Sequence, residues 1–279
     1  MRKDYRISDV AAYINWVYFF HAWSVPQQSD EGQRLYAEAQ QMLKHLQPYL
    51  KVKCVVEILP AYSDGDDIVV QRTRPCECGQ AHPFGDPIRL PMLRQQTPDK
   101  DGNCLCLSDF IRPKSVIKQD KIGIFASSTA IDVNKTYPND DFNGMLLQTL
   151  ADRLAEAGTE RLHQEVRRTI WGYAPQEDLT ISELHQEKFQ GIRPAVGYPC
   201  LPDISINYLI DEILGLKSIG VTLTTSAMMR PHASVSGLMI SLPQARYFSV
   251  GNVDETQLRD YAQRRHMTVE EINKYIQCC

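Results

Sequence analysis

Between Asp140 and Tyr173 the chain sets Leu146, Leu150, Leu154, Gly158, Leu162, Val166 and Ile170 four residues apart, and Leu147 and Ala151 widen the stripe. A period near 3.6 sustained over that length predicts one long helix with a single core-facing side. Its ends agree with the helix dipole: Asp140 and Asp141 suit the positive N-terminal end, and Arg167 and Arg168 the negative C-terminal end. The charged residues between them, in DRLAEAGTERLHQEVRR, are read as the solvated side. Whatever the rest of the chain forms must cover the apolar stripe.

The elements around it follow from shorter signals. MRKDYRISDVAAYINWVYFFHAW reads as a helix capped by Ser8, with Val10, Tyr13, Ile14, Val17 and Phe20 as its buried stripe. Asp4, Asp9, Asn15 and His21 interrupt that run and no small-residue cleavage site follows, so it is not read as a signal peptide. With no apolar run of membrane-spanning length, a cytoplasmic protein without membrane contact is expected. A second helix, Glu31 to His45, opens through Ser29-Asp30 and buries Leu35, Ala39, Met42, Leu43 and Leu46.

Lys53 to Leu59 and Asp67 to Gln71 read as strands of a hairpin-like pair joined by Pro60 to Gly65, and Arg72 to Asp86 reads as irregular. Lys121 to Ser127, Val221 to Thr225, Ser234 to Leu242 and Tyr247 to Val253 are further strand candidates. Helices are expected from the Thr180-x-x-Glu183 capping box, at Ile206 to Leu214, from Asp254 to His266, and from Thr268-x-x-Glu271. Strands neighbour strands and helices cluster apart, which predicts an α+β fold with an antiparallel sheet. No linker or repeat divides the chain, so 1–279 is read as a single domain.

Thirty basic against thirty-four acidic side chains leave a net charge of −4 without a dense basic block, which argues against a nucleic-acid partner. There is no P-loop, no GxGxxG after a strand, no GxSxG elbow and no HExxH. Eight cysteines are too few for a disulfide scaffold in a chain of this size and are read as thiols. Cys76 and Cys78, with His82 nearby, and Cys104 and Cys106 form two clusters that could hold a zinc ion, although C-x-C is not the usual zinc spacing. Unligated thiols are preferred, and Cys106 heads an apolar run where a thiol packs as a small hydrophobe. Cys278-Cys279 is read as a frayed tail.

One connection is unusually stiff. GIRPAVGYPCLPD, from Gly191 to Asp203, carries three prolines and two glycines around Arg193 and Tyr198. Pro194 and Pro199 fix φ, and Gly197 can adopt angles other residues avoid. Such a segment meets a ligand with little ordering cost. Arg193 offers a planar fork for a carboxylate, and Tyr198 a ring for a heterocycle or a cation. The alternative is a proline-rich connector with Arg193 in an ordinary salt bridge.

EKFQGIRPAVGYPCLPD resembles the RxxxGYP signature of the S-adenosylmethionine-binding activation domain of cobalamin-dependent methionine synthase. YINWVYFFHAW (13–23), LPAYSDGDDIVV (59–70), DDFNGMLLQTLADRLAEA (140–157), WGYAP (171–175), ASVSG (233–237) and RYFSV (246–250) are similar to that domain in its order. The resemblance spans essentially the whole chain. It implies a single C-shaped α+β domain whose bent antiparallel sheet is flanked by helices, with the long helix at its centre.

It also implies a ligand shell. Arg193 would take the methionyl carboxylate, and Glu187, on the preceding helix, would lie near the amino group. Backbone at Ala195, the turn at Gly197 and the ring of Tyr198 would line the pocket, and Tyr247 and Phe248 would meet the nucleoside or sulfonium end. Asn15 stands where the family has an aspartate ligand, Phe248 where it has a second tyrosine, and Arg230 and His232 where it typically has Trp and Gly. The implied activity is reactivation of a methionine synthase in trans. S-adenosylmethionine would be the methyl donor, cobalamin would be presented by the cobalamin-binding module of a partner, and a flavodoxin-like protein would supply the electron. A binding or scaffold protein that keeps the groove without the chemistry is the second implied reading.

Overall fold

In chain order, the N-terminal half of the computed structural model runs β1 (Arg2–Arg6), α1 (Ile7–Val10), α2 (Trp16–Ala22), α3 (Asp30–Leu46), β2 (Lys51–Asp64), β3 (Asp67–Val70), β4 (Thr73–Pro75), β5 (Ala81–Pro83), β6 (Ile88–Pro91) and β7 (Asp120–Thr129). The second half runs α4 (Asp141–Glu165), α5 (Ile181–His185), α6 (Ile206–Leu214), β8 (Thr222–Leu223), β9 (Met229–Arg230), β10 (Ser234–Met239), α7 (Glu255–Arg264) and α8 (Val269–Ile272). The structure describes residues 1–75, 81–116, 120–131, 136–137 and 139–276, so Cys76, Cys78 and the Cys278-Cys279 tail lie outside the described residues.

β2 organises the sheet because it is long enough to pair along both edges. One edge meets β7 from Val52 opposite Thr129 to Ala61 opposite Asp120. The other edge meets β1 along residues 51–55 and β3 along residues 61–64. Strand order is β10-β7-β2-β3-β6, antiparallel throughout, with β1 beside β2. Two successive partners on one edge let the sheet curl, and it forms a half-barrel flanked by helices.

Side chains of the central strands alternate between two cores, as the two-residue strand period requires. Val52, Cys54, Val56 and Phe125 pack with α3 and α4. Val55, Leu59, Ile122, Ile124 and Ala126 pack on the opposite face with Leu107, Phe110, Ile206 and Ile210. Each such aliphatic side chain contributes roughly 2 kcal/mol through burial. α4 lies so close to β2 that a Cβ at Gly158 would overlap Val52. A third, smaller core around Leu258, Tyr261 and Ile272 fastens α7 and α8 to the sheet's end.

Most predicted elements are present, with the following differences. The N-terminal helix is broken: Asp9 accepts the Arg6 N–H at 2.9 Å, so Arg6 rather than Ser8 caps α1, and Asn15 opens a separate α2. Val17 then faces out, 67% exposed, while Val10, Tyr13, Ile14 and Phe20 stay buried. β2 runs straight through Pro60 and turns only at Gly65-Asp66, and Arg72 to Asp86 contains the short β4–β5 pair. Tyr247 to Val253 forms no strand. The long helix leaves α geometry at Glu165 and finishes as a π-helical turn over Val166–Ile170.

Candidate functional site

Gly191 to Leu201 is held as an irregular strand on the free edge of β10. Ile192 and Ile240 exchange two N–H···O bonds of 2.9 Å, Leu238 N–H donates to Pro194 O at 2.9 Å, and Val196 N–H donates to Ser236 O at 2.9 Å. Pro194 sits where the ladder needs only its carbonyl, so its missing N–H leaves nothing unpaired. The approach is close enough that a Cβ at Gly237 would overlap the Pro194 carbonyl and stand 2.9 Å from Ala195 Cα. Gly197 takes φ +86°, donating to Leu201 O at 2.8 Å, and this turn carries Tyr198. The stiffness read from the sequence is that of a backbone laid directly on the sheet.

Between this segment, α2, α4, the end of α5 and residues 247–248 lies a cavity of about 710 Å³. Asn15, Glu187, Arg193, Ala195, Tyr198, Tyr247 and Phe248 all line it, so seven of the eight site residues expected from the sequence meet in one place. Gly197 does not line the wall and acts through the turn.

Arg193 is anchored from two sides. Its backbone N–H donates to the Tyr247 hydroxyl at 2.9 Å, and its Nη2 donates to Glu160 Oε2 at 2.9 Å. Nη1 of Arg193 and Oε1 of Glu160 are buried with no partner in the protein. Burial works against the guanidinium charge, but Glu160, Tyr247 and Glu156 more than offset it, and its pKa stands above the ordinary arginine value. Buried polar groups are normally satisfied, and these two unpartnered atoms belong to residues that line the cavity. An amino-acid carboxylate matches a cation so placed.

The other walls are aromatic and acidic. Tyr198, half exposed, donates to Glu156 Oε1 at 3.3 Å, and the charge of Glu156 and then burial push its hydroxyl up to about 12. Burial pushes Tyr247 up to about 12 as well. Arg153 lies over the Tyr18 ring at 5.9 Å, both on the cavity wall. Phe248 also meets Phe110 edge-on at 6.3 Å, which ties the cavity to the second core. Glu187 is not on α5 as expected: the helix ends at His185, and Glu187 follows in a left-handed conformation, φ 56°. Its carboxyl is raised above its ordinary range by burial, with Arg193 opposing and Glu160 adding to the rise.

The solvated-side expectation for α4 is overturned. Arg153, Glu156, Glu160, His163 and Arg167 recur at intervals of three and four, and this polar stripe faces the cavity and the packing behind it. Arg167 is fully buried, donates twice to Glu177 at 2.7 and 2.8 Å, and stacks at 4.2 Å on Phe189, a cavity residue. His163 is fully buried with its ring edge-on to Phe189 at 4.9 Å. Glu156 and Glu160 are thus functional candidates that sequence reasoning missed, and the polar periodicity within the helix was the available signal.

Arg230 is exposed on β9, and His232 stands mostly exposed beside Asp152 at 3.3 Å. Cys106 is buried in the second core, where it accepts from Ser108 Oγ at 3.2 Å, and burial pushes its thiol up to about 11. Among the described residues no group of three His, Cys, Asp or Glu side chains is placed to hold a metal ion, and no helix is long and apolar enough to cross a membrane.

This architecture has a solved counterpart. The crystal structure of the MetH reactivation domain bound to AdoHcy is 37% identical and superposes with a TM-score of 0.89, covering 99% of this chain and 88% of that one. The family model for the activation domain of vitamin B12 dependent methionine synthase matches residues 6–266. The chain therefore belongs to the family of vitamin B12 dependent methionine synthase activation domains.

Proposed function

We propose that the chain, acting as one domain in the cytoplasm, binds S-adenosylmethionine in the 710 Å³ cavity. It presents the sulfonium methyl to cob(II)alamin carried by the cobalamin-binding module of a methionine synthase, which is reductively methylated with an electron from a flavodoxin-like donor. The observation that carries this reading is Arg193: a buried guanidinium on the cavity wall, fixed at its backbone and one nitrogen and with Nη1 unpartnered. The 37%-identical reactivation domain with AdoHcy bound supports it.

In this reading Arg193 takes the α-carboxylate, with Glu187 and Asn15 near the ammonium. Ala195 lines the wall, and Tyr198, Tyr247 and Phe248 bracket the nucleoside and sulfonium. Aromatic faces attract such a cation. The corrinoid supplies the nucleophile that takes the methyl, and the leaving group is a neutral thioether, so the protein transfers no proton. The chain's work is to hold the methyl in line and to exclude water.

Isothermal titration with S-adenosylmethionine tests the binding step: saturable heat with a raised melting temperature is expected. No heat, with an unchanged melting temperature, contradicts it. A second reading, a binding or scaffold protein without reactivation chemistry, is favoured by one observation: the Asn15 amide that replaces a family carboxylate already serves as a helix cap. Mixing the chain with a methionine synthase lacking its own activation domain separates the two, because recovered turnover removes the second.

A further inference from the structure

Glu160 on α4 and Arg167 on its π-helical end each belong to a buried arginine–glutamate pair, and the two pairs are built differently. Arg167 and Glu177, 0% and 5% exposed, are joined through both carboxylate oxygens, with Arg167 Nη1 alone left without a hydrogen-bond partner and the guanidinium stacked on Phe189. Arg193 and Glu160, 15% and 11% exposed, share only one N–H···O bond, and each keeps an unpartnered buried atom. A two-pronged contact ties up two of the three guanidinium nitrogens; a single contact fixes the guanidinium and leaves more of its bonding capacity to a ligand. Leaving a buried charge half-satisfied is unfavourable unless something else completes it.

Glu160 is well suited to set this state. It stands one helical turn beyond Glu156, on a helix packed closely against β2 at Gly158, so its carboxylate is carried by an element seated directly on the sheet. Arg193 is carried by the segment laid on β10. The bond between them therefore fixes the distance between the two walls of the cavity.

Resting on the ligand reading above, we propose that Glu160 is a positioning residue for the ligand's amino-acid end: it acts through Arg193, holding the guanidinium by one nitrogen so that the rest of the fork stays available to the α-carboxylate. The prediction is selective. Loss of the Glu160 charge weakens ligands that carry the amino-acid end and spares those that lack it.

The test is titration of the full chain and of Glu160→Gln, which is nearly isosteric, with two probes. S-adenosylhomocysteine carries the amino-acid end; 5′-methylthioadenosine keeps the nucleoside and thioether without it. Glu160→Gln is expected to weaken the first about tenfold and leave the second within about twofold. In an Arg193→Met background, the Glu160→Gln effect on the first probe is expected to vanish. Equal weakening of both probes, no weakening of either, or a tenfold effect that survives in Arg193→Met overturns the assignment to Glu160. If the unaltered chain binds neither probe, the ligand reading of the cavity falls and takes this assignment with it.

Discussion

The Asn15 side-chain oxygen accepts the Val17 backbone N–H at 3.2 Å, so a residue on the cavity wall also closes the N-terminus of α2. Site and helix start are thereby one device: the chain turns at Asn15 because the cap favours it, and the turn delivers the amide to the cavity.

Aspartate caps a helix as well as asparagine does and adds a charge for the ligand ammonium. Asn15→Asp is therefore expected to tighten S-adenosylmethionine binding by roughly fivefold, from about 1 kcal/mol of added interaction, with the melting temperature unchanged. Titration and thermal unfolding of the variant check both parts.

Arg193→Lys keeps the cation and loses the planar fork. Affinity for S-adenosylmethionine is expected to fall by roughly 10- to 100-fold, the range for hydrogen bonds to charged groups. Arg193→Met also strands Glu160, 11% exposed at its side chain, without its counter-charge, and is expected to lose about 3 kcal/mol of stability. Denaturant unfolding distinguishes the two substitutions.

Gly237→Ala places a methyl against the Pro194 carbonyl and Ala195 Cα, both backbone atoms that cannot swing aside. The segment bearing Arg193 and Tyr198 must lift from β10. A melting temperature lower by several degrees and a loss of affinity of more than about tenfold are expected together. Calorimetry and titration of one preparation report both.

Acid sensitivity should arise from His163. Burial, then the charges of Arg167 and Arg193, hold its pKa well below the ordinary 6.5. The unfolded chain therefore takes up a proton near pH 6.5 that the folded chain refuses. The stability linked to this residue is fully present above pH 6.5 and is lost as pH falls below it, by up to about 1.4 kcal/mol per pH unit. Denaturant unfolding between pH 8 and 5 is expected to show this slope, reduced in His163→Phe.

What could be read in advance depended on how local the cause was. Ser29, Thr180, Asp254 and Thr268 each accept a backbone N–H three residues on, and all four caps were legible. The Arg193 segment was legible because prolines and glycines restrict a backbone wherever they stand. Tyr247 to Val253 misled because its β-like residues meet no ladder: Val250 N–H donates to Pro199 O, and Gln95 reaches Ser249 O. Glu156 and Glu160 were missed because their partners lie 42 and 33 residues away, so a polar stripe at helical period looked solvated. Tertiary contacts, not propensity, decided which side of α4 met water.

The most direct test of the account is a crystal structure of the chain with S-adenosylhomocysteine. The ligand is expected in the cavity, with its carboxylate on the Arg193 guanidinium and its nucleoside between Tyr198 and the Tyr247-Phe248 pair. A ligand seated elsewhere, or one whose amino-acid end points to solvent while Arg193 stays paired with Glu160 alone, would contradict it.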